Sequence, residues 1–201
     1  SIIKVHEDKR NPGAIVASLS IPSLPDGTGN KEVSKLTGGY HLVWPRDLFK
    51  SGMALLELGD IPTAYDVFRF MMRQEHDGKM LQNTWVDGTA YWKGEQLDQE
   101  GFPILLGVAL EKSGIKLTSS ELEFINRRAD RIRQSLGRTG QDRWEEAAGY
   151  SPNTLAVMTA ALDALKDYQS ANKFVHILFE KTVTTNGPLS TNPYFLRITQ
   201  K

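Results

Sequence analysis

The sequence predicts an all-α fold: a two-layer ring of helical hairpins, of which three hairpins are present. Two observations carry this expectation. Six helical segments alternate between mostly apolar and amphipathic or mixed, and three polar-aromatic loops each stand just before an apolar segment. A helix that is apolar on every side has to be buried on every side, whereas an amphipathic one needs a wet face. The alternation therefore sorts the helices into an inner row and an outer row. An irregular helical bundle is the other architecture open to such a set.

The segments follow in order. Residues 47–58 (DLFKSGMALLEL) are mostly apolar and read as an inner helix. Residues 61–76 (IPTAYDVFRFMMRQEH) are amphipathic, with Ala64, Val67, Phe68, Met71 and Met72 at helical spacing, and Pro62 suits a first turn. Residues 99–111 (QEGFPILLGVALE) are apolar nearly all round. Residues 118–136 are strongly amphipathic, with Thr118 or Ser119 as the expected N-cap and Glu121 and Leu122 opening the apolar period. Residues 152–168 are mostly apolar again, and 169–181 are mixed. Two long loops interrupt the series. Residues 22–39 are rich in Gly, Pro, Ser and Asp and read as a turn-rich connection. Residues 76–97 carry Trp85, Tyr91 and Trp92, and a long loop with embedded aromatics points to function rather than to a plain connector.

Composition narrows the function classes. Lys plus Arg and Asp plus Glu are both 24, and no basic stripe is evident, so no nucleic-acid partner is expected. No run of about 18 apolar residues is long enough to span a bilayer, so no membrane partner is expected either. The opening SIIKVHEDKRNPGA lacks the apolar core of a signal peptide. Cysteine is absent, which removes disulfides and thiolate metal sites. His6, His41, His76 and His176 show no metal-ligand spacing, and no EF-hand, P-loop, G-x-G-x-x-G or G-x-S-x-G motif occurs. No metal or cofactor is expected.

The three loops are GGYHLVWPRD (38–47), YWKGEQLD (91–98) and QDRWEEAAGYSP (141–152). If the apolar helices run parallel, all three open at one end of the ring and converge on one pocket. Arg46 and Asp47 combine a rigid fork of donors with a pure acceptor, which matches vicinal hydroxyls. They also fit an ordinary helix start beside a surface arginine. Trp44, Trp85, Tyr91 and Trp92 suit either a core or the apolar face of a sugar ring. Glu145 and Glu146 suit either a solvated pair or acid–base work. In the second case Trp144 would lower the local dielectric, and Asp142 and Arg143 would hold one carboxylate ionised.

Longer stretches carry a family resemblance. GGYHLVWPRDLF, YWKGEQLDQEGFPILL, TGQDRWEEAAGYSPNTLA and TVTTNGPLSTNPYFLRIT resemble glycoside hydrolase family 15, the bacterial and archaeal glucoamylase and glucodextranase group. The resemblance runs from about Pro12 to Thr199 and implies that residues 1–201 are part of an (α/α)6 barrel catalytic domain, about half of that six-hairpin toroid. It implies release of glucose from non-reducing ends of α-glucans, or of malto- or isomalto-oligosaccharides, with inversion. By that resemblance Glu145 looks like the general acid, and Glu146 like a neighbouring carboxylate that contacts substrate. Arg46 and Asp47 look like the grip on the terminal sugar, and Tyr40, Trp44, Trp92 and Trp144 like pocket walls. Gln96 and Asp98 fall in the matching substrate-binding loop.

An inverting glycosidase also needs a second carboxylate as general base, roughly 6.5–9.5 Å from the acid. No segment here matches the family's base motif, so the base is expected outside these residues, with the remaining half of the barrel as a partner. A carbohydrate-binding fragment without catalysis is the alternative. The resemblance leaves α-1,4, α-1,6 and α,α-1,1 linkages open.

Overall fold

The computed structural model describes residues 2–19, 40–185 and 187–200. The connection expected over 22–39 therefore lies outside the described residues, as do Gly38 and Gly39 of the first loop motif.

The expected hairpins are present. A one-turn helix α1 (Ile2–Val5) precedes α2 (Pro45–Glu57) and α3 (Ile61–Arg73), then α4 (Asp98–Lys112) and α5 (Ser119–Gln134), then α6 (Pro152–Ala164) and α7 (Tyr168–Thr182). Each consecutive pair packs as a hairpin, and α4 lies beside both α2 and α6. The inner row is thus α2, α4, α6, with α3, α5 and α7 outside it.

Helix starts follow local chemistry. Asp60 caps α3 by accepting from the Thr63 amide (3.3 Å), with Pro62 in the first turn where no donor is missed. Thr118 caps α5, and Glu121 completes a capping box by accepting from the Thr118 amide at 2.8 Å. Asp167 caps α7 through the Ser170 amide.

Small residues set the inner spacing. A Cβ on Gly52 of α2 would lie 2.9 Å from Leu106 of α4, and one on Gly101 of α4 would lie 2.7 Å from Val157 of α6. Both helices can approach α4 closely only because these positions lack a side chain. Phe49 and Phe102 stack across the first contact with centroids 5.2 Å apart. Phe68 and Phe124 meet edge-on at 6.1 Å between the outer helices α3 and α5.

Two features depart from the sequence reading. The helix expected over 61–76 ends at Arg73, because Asp77 and Gly78 both take positive φ (49° and 73°) and turn the chain. That turn joins β1 (Glu75–His76) to β2 (Lys79–Met80) in an antiparallel hairpin. The Asp-Gly pair was the available signal. A second short hairpin pairs β3 (Val183–Thr184) with β4 (Tyr194–Phe195).

The β1–β2 hairpin is fixed by a buried cation. Arg128 of α5 is fully buried and reaches Glu75 (2.5 Å), Glu100 of α4 (2.8 Å) and the Gly78 carbonyl (3.0 Å). Burial pushes the Glu100 carboxyl up, against the pull of Arg128. Arg127 adds a fork to Glu75, whose carboxyl is held below its usual value chiefly by that contact. Removing Arg128 would leave the buried Glu100 carboxylate without its main ion pair and Glu75 with Arg127 alone. Arg128→Ala is expected to cost about 3–5 kcal/mol in urea unfolding. A loss below about 1 kcal/mol would mean that the network does not hold the hairpin.

Candidate functional site

Each of the three loops ends at the N-terminus of an inner helix. The first is led in by residues 14–18, where the Ala17 amide donates to Leu42 O and the Ser18 amide to Tyr40 O. Trp44 is the N-cap residue of α2 in extended conformation, and Pro45 opens the helix. Val43 and Thr84 exchange main-chain bonds (2.9 and 3.0 Å), which fastens the first loop to the second. In the second loop the Trp92 amide donates to Asn83 Oδ1 and the Gly94 amide to Gln82 Oε1. The third loop is tied to the second by the Gln141 amide donating to Glu95 O at 2.9 Å.

The convergence is direct. The Trp44 indole Nε1 donates to Glu145 Oε1 at 2.7 Å, and Arg46 Nη2 lies 3.7 Å from the same oxygen. Arg46 Nη1 donates to Gln96 Oε1 at 3.1 Å. Rings form a row: Tyr40 to Trp44 at 6.0 Å, Trp44 to Trp92 at 5.9 Å, Trp92 to Tyr91 at 5.3 Å and Tyr91 to Trp85 at 5.2 Å. Tyr40, Trp44, Arg46, Asp47, Trp92, Trp144 and Glu145 together line a cavity of about 440 Å3. Lys50 also lines it and was missed from the sequence, and Arg143, named there only as a charge beside the glutamates, lines it too. Lys50 stands four residues after Arg46 on α2, so helical spacing could have found it.

Three expected site residues lie elsewhere. Gln96 and Asp98 do not line the cavity but lie buried behind Arg46, as a floor rather than a wall. Gln96 Oε1 also accepts from Gln99 Nε2 (2.9 Å), and Asp98 Oδ2 accepts from Asn153 Nδ2 (3.2 Å). Glu146 turns away, and its Oε2 meets Arg197 Nη2 at 2.5 Å. The supposed roles of Trp144 and Arg143 also change. Trp144 is 60% exposed with the Arg143 guanidinium 5.0 Å from its ring, whereas the buried indole at Glu145 is that of Trp44. Arg197, not Arg143, is the cation on the neighbouring carboxylates.

Electrostatics separate the floor from the wall. Burial pushes the Asp98 carboxyl from an ordinary 3.8 up to about 6, against the opposing field of Arg46. Among the described residues Asp98 Oδ1 and Gln96 Nε2 find no hydrogen-bond partner. The ends of three inner helices add the positive side of their dipoles to Arg46, Lys50 and Arg143. The mouth therefore sets three cations around two carboxylates, Asp47 and Glu145, and offers donors and acceptors beside aromatic faces, as a polyol with an apolar face requires. Among the described residues no group of three His, Asp or Glu is placed to hold a metal ion.

The chain matches the family described as glycosyl hydrolases family 15 over residues 1–173. It is 38% identical over 212 aligned positions to a glucoamylase of Clostridium sp. (strain G0005), covering 98% of this chain and 29% of that relative. A solved bacterial glucoamylase complexed with acarbose superposes with a TM-score of 0.76 at 37% identity, over 98% of this chain and 30% of its own. A wild-type glycosidase at 17% identity superposes with a TM-score of 0.68, over 91% of this chain and 55% of its own, which bears on the fold alone. The chain thus spans about three tenths of the length of these two glucoamylases.

The floor gives a pH signature. An acid held at about 6 in the fold and near 3.8 when unfolded costs nothing below both values. It lowers stability as pH rises between them, and the full cost is present above about 6. The stability of Asp98→Asn relative to the parent is expected to rise by about 2 kcal/mol from pH 4 to pH 7. Urea unfolding at the two pH values checks this, and a difference that stays constant would contradict it.

Proposed function

Since the chain belongs to glycosyl hydrolase family 15 and has the fold of about half an (α/α)6 barrel, we propose that it carries the acid side of an inverting, glucose-releasing α-glucosidase of the glucoamylase kind. The observation that carries this reading is the placement of Glu145. It shares one cavity with an Arg–Asp pair and four aromatic residues, and it is held there by the Trp44 indole.

The proposed chemistry follows from the two oxygens of that carboxyl. Oε1 accepts from Trp44 and faces Arg46, so the proton to be given is carried by Oε2. As the glycosidic C–O bond breaks, that proton passes to the leaving oxygen, which departs as a hydroxyl. Water attacks the opposite face of the anomeric carbon and gives its own proton to a base outside this chain. Arg46 and Asp47 would grip hydroxyls of the terminal sugar, while Trp44, Trp92, Tyr40 and Trp144 offer ring faces to it. Gln96 and Asp98 act from beneath, by fixing Arg46 and the first turn of α4. An α-linked oligosaccharide is the proposed substrate.

The rest of the barrel is the proposed partner. The inner faces of α2 and α4 present Phe49, Met53, Leu56, Leu105, Val108 and Ala109 along an apolar groove of about 380 Å3. Leaving it in water costs about 25 cal/mol per Å2 of apolar surface, so further hairpins of the ring are expected to cover it. A second reading, sugar binding without hydrolysis, is favoured by one feature. Apart from Glu145, Asp47 is the carboxylate lining the cavity, and it sits in the proposed sugar grip.

Three measurements decide between these readings. In the form of the protein that hydrolyses maltose, Glu145→Gln is expected to lower kcat by about 10²–10⁴-fold with little change in binding. Retained turnover would remove Glu145 from the acid role. The sugar released at early times is expected to be β-glucose, and α-glucose would contradict inversion. With this chain alone, acarbose, the ligand of the solved relative, is expected to change tryptophan fluorescence saturably. A saturable response is expected under both readings, because the base is proposed to lie outside this chain, and no response would count against both.

A further inference from the structure

The carboxylate next to Glu145 faces away from the cavity, and the residue that draws it away comes from the far end of the chain. We propose that Arg197 is a positioning residue for Glu145. It acts through Asp142 and Glu146 to hold the loop from Gln141 to Ala147 in the shape that presents Glu145 to Trp44. The proposal rests on the placement of Glu145 in the site described above.

The contacts converge on Asp142, which is 1% exposed. Arg197 Nε donates to Asp142 Oδ2 at 2.7 Å, and Arg197 Nη2 reaches Glu146 Oε2 at 2.5 Å. The other oxygen of Asp142 accepts from the amides of Glu146 (3.1 Å) and Ala147 (3.4 Å). The Asp142 main chain closes the same turn, donating to Ala147 O at 2.7 Å and accepting from the Glu145 amide at 2.8 Å. Burial pushes the Asp142 carboxyl up, but the Glu146 amide and Arg197 outweigh it and hold the group below its ordinary value. Asp142 therefore stays ionised and keeps its grip on the loop.

That grip has something to hold. Glu145 has φ of 65°, in the left-handed region. A residue with a side chain persists there only where its surroundings over-determine it. Two amide bonds to one carboxylate, with that carboxylate pinned by Arg197, are such surroundings. Glu146 is satisfied in the same stroke, so its charge is paired on the outer side of the loop.

Arg197 is itself delivered by an anchored strap. The Leu196 amide donates to Thr182 O at 2.8 Å, and Thr199 Oγ1 donates to Lys181 O at 2.7 Å. Tyr150 and Thr199 exchange main-chain bonds at 2.8 and 3.0 Å. A Cβ on Gly149 would lie 2.2 Å from Thr199 O, so the strap passes directly against the backbone that follows the loop. The distance from Asp142 to Arg197 along the chain, 55 positions, is why no spacing rule points to the pair.

The test reads the Trp44 indole N–H in a nitrogen–proton NMR spectrum of this chain, together with amide exchange. Glu145→Gln identifies the resonance, because it changes the acceptor and leaves the strap in place. In Arg197→Ala the Trp44 indole signal is expected to lose its downfield, carboxylate-bonded position. The Glu145–Ala147 amides are expected to exchange faster by roughly tenfold or more. The Leu122 amide, in the distant α5 cap, is expected to keep its protection. Arg197→Lys should restore part of the effect, since one ammonium reaches Asp142 but lacks the fork. If Arg197→Ala does not fold, Arg197→Gln decides by the same readout, with the same loss expected. An unmoved Trp44 indole and unchanged loop exchange in a folded Arg197→Ala or Arg197→Gln would overturn the proposal. Turnover by Glu145→Gln would remove the acid role while leaving this positioning result as measured, so the two failures are distinguishable.

Discussion

The hydrogen bond from the Trp44 indole to Glu145 joins residues 101 positions apart, and the site depends on it. It is a charge-assisted bond whenever Glu145 is ionised, in a partly buried place, worth about 1.5–3 kcal/mol. For Trp44 at the start of α2 to meet a loop at the start of α6, both helices must begin at the same end of the molecule. Each inner helix then needs an outer one to bring the chain back. The hairpin architecture and the site geometry are in this sense one requirement. The glycines at 52 and 101 satisfy its packing side by letting α2 and α6 close on α4.

Beneath that bond lies a polar floor that an all-apolar inner helix would not supply. Asp98, Gln99 and Glu100 are consecutive and buried at the first turn of α4. Each points to a different task. Asp98 meets Asn153 of α6, Gln99 binds Gln82 O and Gln96, and Glu100 pairs with Arg128 and the Met80 amide. The layer ties the second loop to helices on both sides, so Arg46 is held by a fixed partner rather than by solvent. Its cost appears as a raised Asp98 carboxyl, and the strain of the upper layer appears as the positive φ of Glu145. Both sit within one site, where a fold tolerates local penalties in exchange for a set geometry.

Legibility in the sequence followed periodicity. The six long helices were readable because each is a segment of 12 or more residues, and all but α4 have a cap or a proline at the start, as at Thr118, Pro62 and Pro152. The convergence of three loops was readable because each preceded an apolar helix. Seven of the ten residues that line the cavity were named as site residues from the sequence. What the sequence left open was side-chain direction. Gln96 and Asp98 belong to the right loop but face down, and Glu146 sits beside Glu145 but faces out. Adjacent residues in a loop share no periodicity that fixes which one points inward. The end of α3 was missed for another reason, since an apolar period runs on through Met71 and Met72 while the Asp77–Gly78 turn stops it.

The half ring leaves one face of its inner helices apolar and one end lined by aromatic rings, an Arg–Asp pair and Glu145, and these two features are independent of each other. The central claim concerns the lined end: three loops make one sugar pocket with Glu145 in its wall. A crystal structure of this chain soaked with maltotriose tests it most directly. The expected result is a terminal glucose ring among Trp44, Arg46, Asp47, Trp92 and Glu145, with the linking oxygen towards Glu145. A sugar bound instead in the larger cavity of about 720 Å3 beside the β1–β2 hairpin, or along the apolar groove of α2 and α4, would contradict it.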